Sequence, residues 1–389
     1  MIDFKNVRPT YLEVDIDAIL YNLKLLKEKI GDDVELMATV KGDFYGLGIR
    51  ETWKYLDDNG ADSYSVATLN EGIELRKLGT KKDILVLGYT SPRQYPLLLE
   101  YDIMPAMFDL EDAKKLSELA IAAGKNAKIH IKVDTGMTRI GFDTSEESMD
   151  KVAEISKLEG IVIDGIFSHF TSSEEIDKTK SHEQAKMFYG FIEGLDKREA
   201  NYGKKHLANS AAVIDLPEYN EDIIRNGYNL TGMHDDTVHI ERLPIKLVSQ
   251  FKTEIARVRK VPKGTGVSYN SSYVTEKEGQ VIATLPVGYS DGYKRALTGK
   301  ADVLVNGKRA RIVGSICMDQ MMIDVTDIDC KAGDEIILFG HVENAPTTAE
   351  LAALLNTGNI DIHSTVGRRV PRVYIKDGKA VAMQDYLID

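Results

Sequence analysis

One lysine stands where chemistry could begin. Val34-Glu35-Leu36-Met37-Ala38-Thr39-Val40 is an apolar run of strand length, and Lys41 follows it directly. Gly42-Asp43-Phe44-Tyr45-Gly46-Leu47-Gly48 comes next, a glycine-punctuated turn that opens into a helix. This placement surrounds the lysine stem with apolar side chains and sets its amine at the mouth of a sheet. Desolvation lowers a lysine's pKa, and a neutral amine is the form that makes Schiff bases with carbonyl compounds. A strand-end lysine that simply reaches solvent would have the same local sequence, so other groups must decide.

Those other groups also fall at the ends of apolar runs. Asp134-Thr135-Gly136-Met137-Thr138-Arg139 follows the run 127–133, and His169 ends the run 163–168. Asn209-Ser210 ends the segment 205–208, and Arg225-Asn226-Gly227 ends 222–225. Each carries groups able to bind an anion or move a proton. The elements that must position them alternate regularly. Strands at 34–40, 63–68, 83–88, 102–108, 127–133, 163–168, 205–208 and 222–225 make eight, and each of the first seven is followed by a helix. The runs are apolar on both faces, as in a parallel sheet. Eight β/α units over some two hundred residues predict a TIM (β/α)8 barrel, with an open doubly wound sheet as the alternative. In a barrel, the chemistry gathers where strands end, and Ser210 and Gly227 follow the last two strands, the usual phosphate site. A lysine near a phosphate site has two readings: an aldolase-type Schiff base with a phosphorylated sugar, or pyridoxal phosphate held by its aldehyde.

After about residue 243 the pattern changes to consecutive strands at 247–260, 280–287, 302–316, 320–326, 334–339 and 369–375, with one helix at Thr348–Leu355. The expected organisation is therefore a barrel over 1–243 and a C-terminal β-rich domain over 244–389. A short strand at 11–15 and an amphipathic helix carrying Ile16, Ile19, Leu23 and Leu26 precede the lysine run. The 389 residues suit two domains, and the net charge of −12 argues against nucleic acid or an anionic membrane as partner. Two cysteines, Cys317 and Cys330, are too few for a disulfide framework. With no signal-peptide pattern and no apolar run of membrane-spanning length, the expected location is cytoplasmic. The histidines show no metal-site spacing, so no metal is expected.

Taken together, the motifs resemble the bacterial alanine racemase family. The blocks are Val40-Lys41-Gly42-Asp43-Phe44-Tyr45-Gly46-Leu47-Gly48, then 134–142, Ser168-His169-Phe170, His206-Leu207-Ala208-Asn209-Ser210-Ala211-Ala212 and Arg225-Asn226-Gly227. They continue through Val267-Ser268-Tyr269, Gly288-Tyr289-Ser290-Asp291-Gly292-Tyr293, Gly314-Ser315-Ile316-Cys317-Met318-Asp319-Gln320 and Arg369-Val370-Pro371-Arg372-Val373-Tyr374. The resemblance implies a pyridoxal-phosphate barrel, a β domain, and a homodimer whose active sites are shared. It implies that Lys41 holds the cofactor and acts as one base, with Tyr269 from the partner chain as the other. Arg225 would face the pyridine nitrogen, with His206 supporting it and His169 supporting Tyr269. Tyr45, Ser210, Gly227 and the backbone at Tyr228 would bind the phosphate. Arg139, Met318 and Tyr289 would hold the amino-acid substrate, and Lys132 matches a lysine carbamylated in some members. The implied reaction is two-base interconversion of L- and D-alanine.

The chain also departs from the family pattern. Leu47 stands where His is usual, Phe44 where Ala is usual, and the turn after Arg225 reads Asn226-Gly227-Tyr228. Counting back from Arg369 places Ile360-Asp361 where the family carries a Tyr-Glu pair that lines the pocket entrance. Loss of that aromatic gate suggests a wider, more polar pocket open to serine or a larger side chain, and Asp361 would favour a basic one. Two other functions compete. A non-catalytic pyridoxal-phosphate carrier would lack the β domain that brings Tyr269. A decarboxylase of related architecture would usually place Glu where Arg225 stands.

Overall fold

The structure, a computed structural model, describes residues 7–235 and 237–388. Strand β1 (Tyr11–Asp15) and helix α1 (Ile16–Ile30) lead into eight parallel strands. These are β2 (Glu35–Thr39), β3 (Ser63–Val66), β4 (Ile84–Val86), β5 (Met104–Met107), β6 (Ala127–Lys132), β7 (Ile161–Phe167), β8 (Lys204–His206) and β9 (Ile223–Asn226). Their order is β8-β7-β6-β5-β4-β3-β2-β9. The seam is joined just beyond β8, where the Arg225 N–H donates to the Ala208 carbonyl at 3.1 Å. The connections are the one-turn element α2 (Lys41–Tyr45) and helices α3 (Ile49–Asn59), α4 (Leu69–Leu78), α5 (Tyr95–Tyr101), α6 (Leu110–Ala122), α7 (Glu146–Ile155), α8 (Thr179–Asp196) and α9 (Ser210–Asp215). The predicted eight-stranded barrel with its helices is thus observed.

The strands obey a period of two. Leu36 and Ala38 pack outward into the layer under the helices, while Met37 joins Leu85, Met104, Ala106, Phe167 and Ile223 in a separate cluster. On β6 the outward residues are Ala127, Ile129 and Ile131. Lys128, His130 and Lys132 alternate with them. Side-chain caps set the helix starts: Asp15 accepts from Ala18 N at 2.9 Å for α1, and Thr68 with Glu71 forms a capping box for α4.

The β-rich part contains β10 (Ser249–Glu254), β11 (Arg257–Val261), β12 (Gly266–Val267), β13 (Tyr273–Val274), β14 (Gln280–Leu285), β15 (Asp302–Val305), β16 (Lys308–Arg311), β17 (Met321–Asp324), β18 (Glu335–Phe339), helices α10 (Thr348–Leu355) and α11 (Asn359–His363), and β19 (Arg372–Lys376) with β20 (Lys379–Gln384). A seven-stranded sheet runs β16-β15-β18-β10-β1-β19-β20, and a three-stranded sheet runs β11-β14-β17. Strand β1 therefore lies in the second unit's sheet, antiparallel to β10 and parallel to β19, although it precedes the barrel in the chain. The run read as one strand over 247–260 splits at Ile255-Ala256 between the two sheets, and 302–316 contains a hairpin closed by Asn306-Gly307. No helix among the described residues is long and apolar enough to cross a membrane.

Candidate active site

Lys41 emerges from β2 into a turn of unusual hand. Gly42, Asp43, Phe44, Tyr45 and Gly46 all have positive φ, from 52° to 89°. For residues with a Cβ this left-handed conformation costs about 1–2 kcal/mol each, so the turn needs support. Asp43 accepts from Ile49 N at 2.8 Å and from the Tyr386 hydroxyl. Gly42 N–H donates to Glu71 Oε1 at 2.6 Å. The second unit holds the turn's carbonyls: His363 Nδ1 donates to Tyr45 O at 2.8 Å, Arg372 Nε to Gly46 O at 3.0 Å and Tyr374 OH to Leu47 O at 3.0 Å. Arg372, fully buried, gives three further N–H groups to the carbonyls of Val366, Gly367 and Val370. The Arg369-Val370-Pro371-Arg372 block is thus a clamp on the lysine turn, and Arg369 itself pairs with Asp291 and Asp319.

The lysine opens onto a cavity of about 510 Å³ at the carboxyl ends of the strands. Tyr45, Lys132, Arg139, His169, Ser210, Arg225, Gly227 and Tyr228 line it together with Lys41. His206 lies behind, fully buried and bonded to Arg225. Burial, and then the charge of Arg139, lower the Lys41 amine below its usual value; Arg225 adds to this and Glu71 opposes it. Lys132 is buried and gives one hydrogen bond to Val133 O at 2.6 Å. Burial first, then Arg225, pull it down to about 7. Burial and Arg139 bring Arg225 to about 9, which leaves it charged at neutral pH.

Arg225 is fixed by its two terminal nitrogens. Nη1 donates to His206 Nδ1 at 3.1 Å and His206 O at 3.0 Å. Nη2 donates to Ser168 O at 2.8 Å, Leu207 O at 3.2 Å and His169 Nδ1 at 3.3 Å. Its Nε makes no hydrogen bond among the described residues, so one N–H remains for a ring acceptor. His169 and His206 are held neutral, by burial before the surrounding cations.

The opposite rim suits a phosphate. Gly227 N and Tyr228 N both point at Ser210 Oγ, at 3.4 and 3.2 Å, distances long enough to be exchanged for a better acceptor. A Cβ at Gly227 would sit 2.6 Å from the Tyr45 ring and 2.8 Å from its hydroxyl. It would also clash with Thr39 O, so only glycine fits between that carbonyl and the Tyr45 ring. The donors, the arginine N–H and the desolvated lysine fit a group with a phosphate, an aromatic nitrogen and an aldehyde.

The other predicted residues lie elsewhere. Tyr269 is 67% exposed, Met318 51% and Tyr289 39%, and none lines the Lys41 cavity. They share one surface of the β-rich part. Tyr289 N donates to Cys317 O at 3.1 Å, and Ser268 Oγ to Ser315 O at 2.7 Å. Ser268, Asn270 and Ser271 around Tyr269 have positive φ, so the tyrosine is presented on a strained turn. Ile360 and Asp361, in α11, do not line the cavity either. Asp361 lies 3.3 Å from Lys294 Nζ and accepts from Thr357 at 3.2 Å. The expectation that it offers a free acid to a basic substrate is corrected by that pairing.

Family models match both parts of the chain: alanine racemase, N-terminal domain, over residues 14–235, and alanine racemase, C-terminal domain, over 248–374. The chain belongs to the alanine racemase family. Its similarity to other members runs end to end. It is 42% identical over 388 residues to the alanine racemase of Clostridium novyi, covering 99% of this chain and 100% of that one. It is equally 42% identical over 388 residues to that of Clostridium tetani, with the same coverage. Among solved structures, the alanine racemase of Clostridium difficile 630 superposes with a TM-score of 0.95 at 37% identity, covering 99% and 100% of the two chains. The Bacillus anthracis alanine racemase with bound L-Ala-P superposes at 0.92 and 33% identity, with 98% of each chain covered. The family is one of pyridoxal-phosphate-dependent enzymes.

His130 is a site residue that its spacing alone does not announce. It bonds to His206 at 2.8 Å deep inside the barrel, two residues before Lys132. The alternation Lys128-Ile129-His130-Ile131-Lys132 carried the signal, since a strand whose even positions are all basic must turn a polar face to the barrel axis.

Proposed function

We propose that the protein interconverts L- and D-alanine by a two-base mechanism, with pyridoxal phosphate held by Lys41 and each site completed by a second copy of the chain. The observation that carries this reading is the cavity itself, where a desolvated Lys41, an Arg225 with one uncommitted N–H, and the Ser210–Gly227–Tyr228 donors face one space. Bound there, pyridoxal phosphate would act as an electron sink that renders the Cα proton of an amino acid labile. Lys41, its amine lowered below the usual value by burial, takes or returns that proton on one face. Tyr269 of the partner subunit serves on the other, which explains why so exposed a tyrosine stands on a strained turn. His169 accepts from Arg225 through Nδ1, which leaves its Nε2–H to stabilise a phenolate. Arg139, with the backbone N–H of Met318 of the partner subunit, holds the substrate carboxylate, and the partner's Tyr289 lies beside them.

Arg225 remains protonated and so gives no proton to the ring nitrogen. That limits charge build-up on the ring and favours prompt return of the proton to Cα over transamination. Lys132, pulled down to about 7 and so partly neutral at that pH, is able to add carbon dioxide with loss of a proton, and the resulting anion would balance Arg139. Counting back from Arg369, Ile360 stands where the family carries its entrance tyrosine, and it does not reach the cavity, so no tyrosine closes the pocket from that position. Serine or a longer side chain is therefore the second reading for the preferred substrate.

The test is to load the purified protein with pyridoxal phosphate and supply L-alanine, L-serine, L-lysine and L-ornithine separately. Chiral chromatography measures the products. D-Alanine forming fastest supports the proposal, and another D-amino acid leading moves the preference to it. Cofactor bound to Lys41 with no D-amino acid formed would return the protein to the carrier reading.

A further inference from the structure

The barrel interior holds a hydrogen-bond chain, Arg225–His206–His130, whose direction is set by the arginine and which ends beside a carboxylate. At one end Arg225 Nη1 can only donate, so His206 Nδ1 accepts, at 3.1 Å. The proton of neutral His206 then sits on Nε2, which donates to His130 Nδ1 at 2.8 Å. His130 in turn carries its proton on Nε2, 3.6 Å from Asp164 Oδ2 and with no closer partner among the described residues. A carboxylate can only accept. The arginine end therefore sets both tautomers, and the Asp164 carboxylate, beyond hydrogen-bond distance, favours the same pair by its charge.

The surroundings are built to keep this arrangement. His130 is opposite Gly165 on β7, where a Cβ would stand 2.6 Å from Nδ1, so the ring occupies the space a side chain would fill. The two imidazoles meet edge to face at 79°, and Phe167 stacks on His206 with ring centroids 4.7 Å apart. Lys128 lies 3.6 Å from the same Asp164 carboxylate and 3.1 Å from Asp83, and so favours its ionised form. Burial holds both histidines neutral, in keeping with the geometry.

We infer that Asp164 and His130 are positioning residues for the reaction: through His206 they form a one-way relay that fixes Arg225, from the opposite end of the barrel. The inference rests on the proposed role of Arg225 beside the cofactor, but its first readout does not. Side-chain nitrogen NMR of the full, cofactor-loaded chain labelled in histidine reports the tautomers directly. His130 and His206 are expected as single Nε2–H forms; an Nδ1–H form at either would overturn the relay whatever the enzyme's activity.

His130→Phe keeps a ring in the space and removes the acceptor of His206. It is expected to lower kcat roughly tenfold, the scale of one hydrogen bond to a charged network, with KM little changed, while His206 keeps the Nε2–H form that Arg225 demands. Asp164→Asn keeps an acceptor without the charge, and its kcat should fall between those of His130→Phe and the unaltered protein. If His130→Phe retains the original kcat, the relay does not position Arg225. Should a variant fail to fold, the tautomers of the unaltered protein still decide. A protein with both expected tautomers and no racemase activity would count against the proposed function and leave the relay standing.

Discussion

Tyr386→Phe tests whether the lysine turn is held by the second unit of the same chain. The turn contains three non-glycine residues of positive φ, Asp43, Phe44 and Tyr45, at 52–55°. At about 1–2 kcal/mol each, their conformation stores roughly 3–6 kcal/mol. The Tyr386 hydroxyl supports Asp43 from the last turn of the chain, while its ring lies under the Arg368 and Arg372 guanidiniums at 5.3 and 5.1 Å. Phenylalanine keeps the ring and removes one hydrogen bond to a carboxylate, worth about 1.5–3 kcal/mol. An unfolding entropy of about 2.1 cal/mol/K per residue over this chain then gives a Tm lower by about 2–4 °C. Because the loosened turn carries Lys41, the extra Tm conferred by saturating pyridoxal phosphate should also shrink. Differential scanning calorimetry with and without cofactor measures both. A Tm within about 1 °C of the original, with an unchanged cofactor increment, would refute the claim that this contact holds the turn.

Two further outcomes follow from the charges around the cavity. Arg225→Glu offers the ring nitrogen a proton donor in place of a fixed cation; racemisation should fall roughly tenfold to a hundredfold while keto acid formed per turnover rises, and unchanged product purity would count against the role given to Arg225. Lys132 is depressed from 10.5 to about 7, chiefly by burial and then by Arg225. The unfolded chain therefore binds the extra proton between those values, so this group makes stability rise with pH from about 7 to 10.5, with the full deficit below pH 7. In bicarbonate-free buffer, Lys132→Met should be the more stable form at about pH 6 to 7 by a few kcal/mol, at about 1.4 kcal/mol for each tenfold loss of proton affinity, and that advantage should fade towards about pH 10; urea titrations at several pH values would show it, and a pH-independent difference would contradict it.

Much of the site was legible because barrel strands end abruptly. Lys41, His169, Ser210 and Arg225 each follow an apolar run, and the topology brings them to one cavity without further information. The lysine turn was less legible: two glycines marked it, but its left-handed course depends on Arg372, Tyr374 and Tyr386, more than three hundred residues away. Strand β1 falls within the stretch expected to form the barrel unit, because five alternating residues carry no mark of their partners, and those partners, β10 and β19, lie far along the chain. The hairpins at Asn306-Gly307 and Asp377-Gly378 were missed, the first inside a run read as one strand over 302–316, although Asn-Gly and Asp-Gly suit the positive φ that all four residues adopt. Asp361 looked like a free acid in the sequence because nothing there shows that Lys294 reaches it.

The claim that two copies share each active site is tested most directly by complementation. Chains carrying Lys41→Ala and chains carrying Tyr269→Ala are each prepared, mixed, dissociated and reassembled with pyridoxal phosphate. In a mixed dimer one site has both bases and the other has neither, so D-alanine formation should recover to about a quarter of the unaltered activity with random pairing. If the mixture instead stays at the sum of its two inactive parents although mixed dimers have formed, Lys41 and Tyr269 do not meet across a dimer, and the two-base account fails.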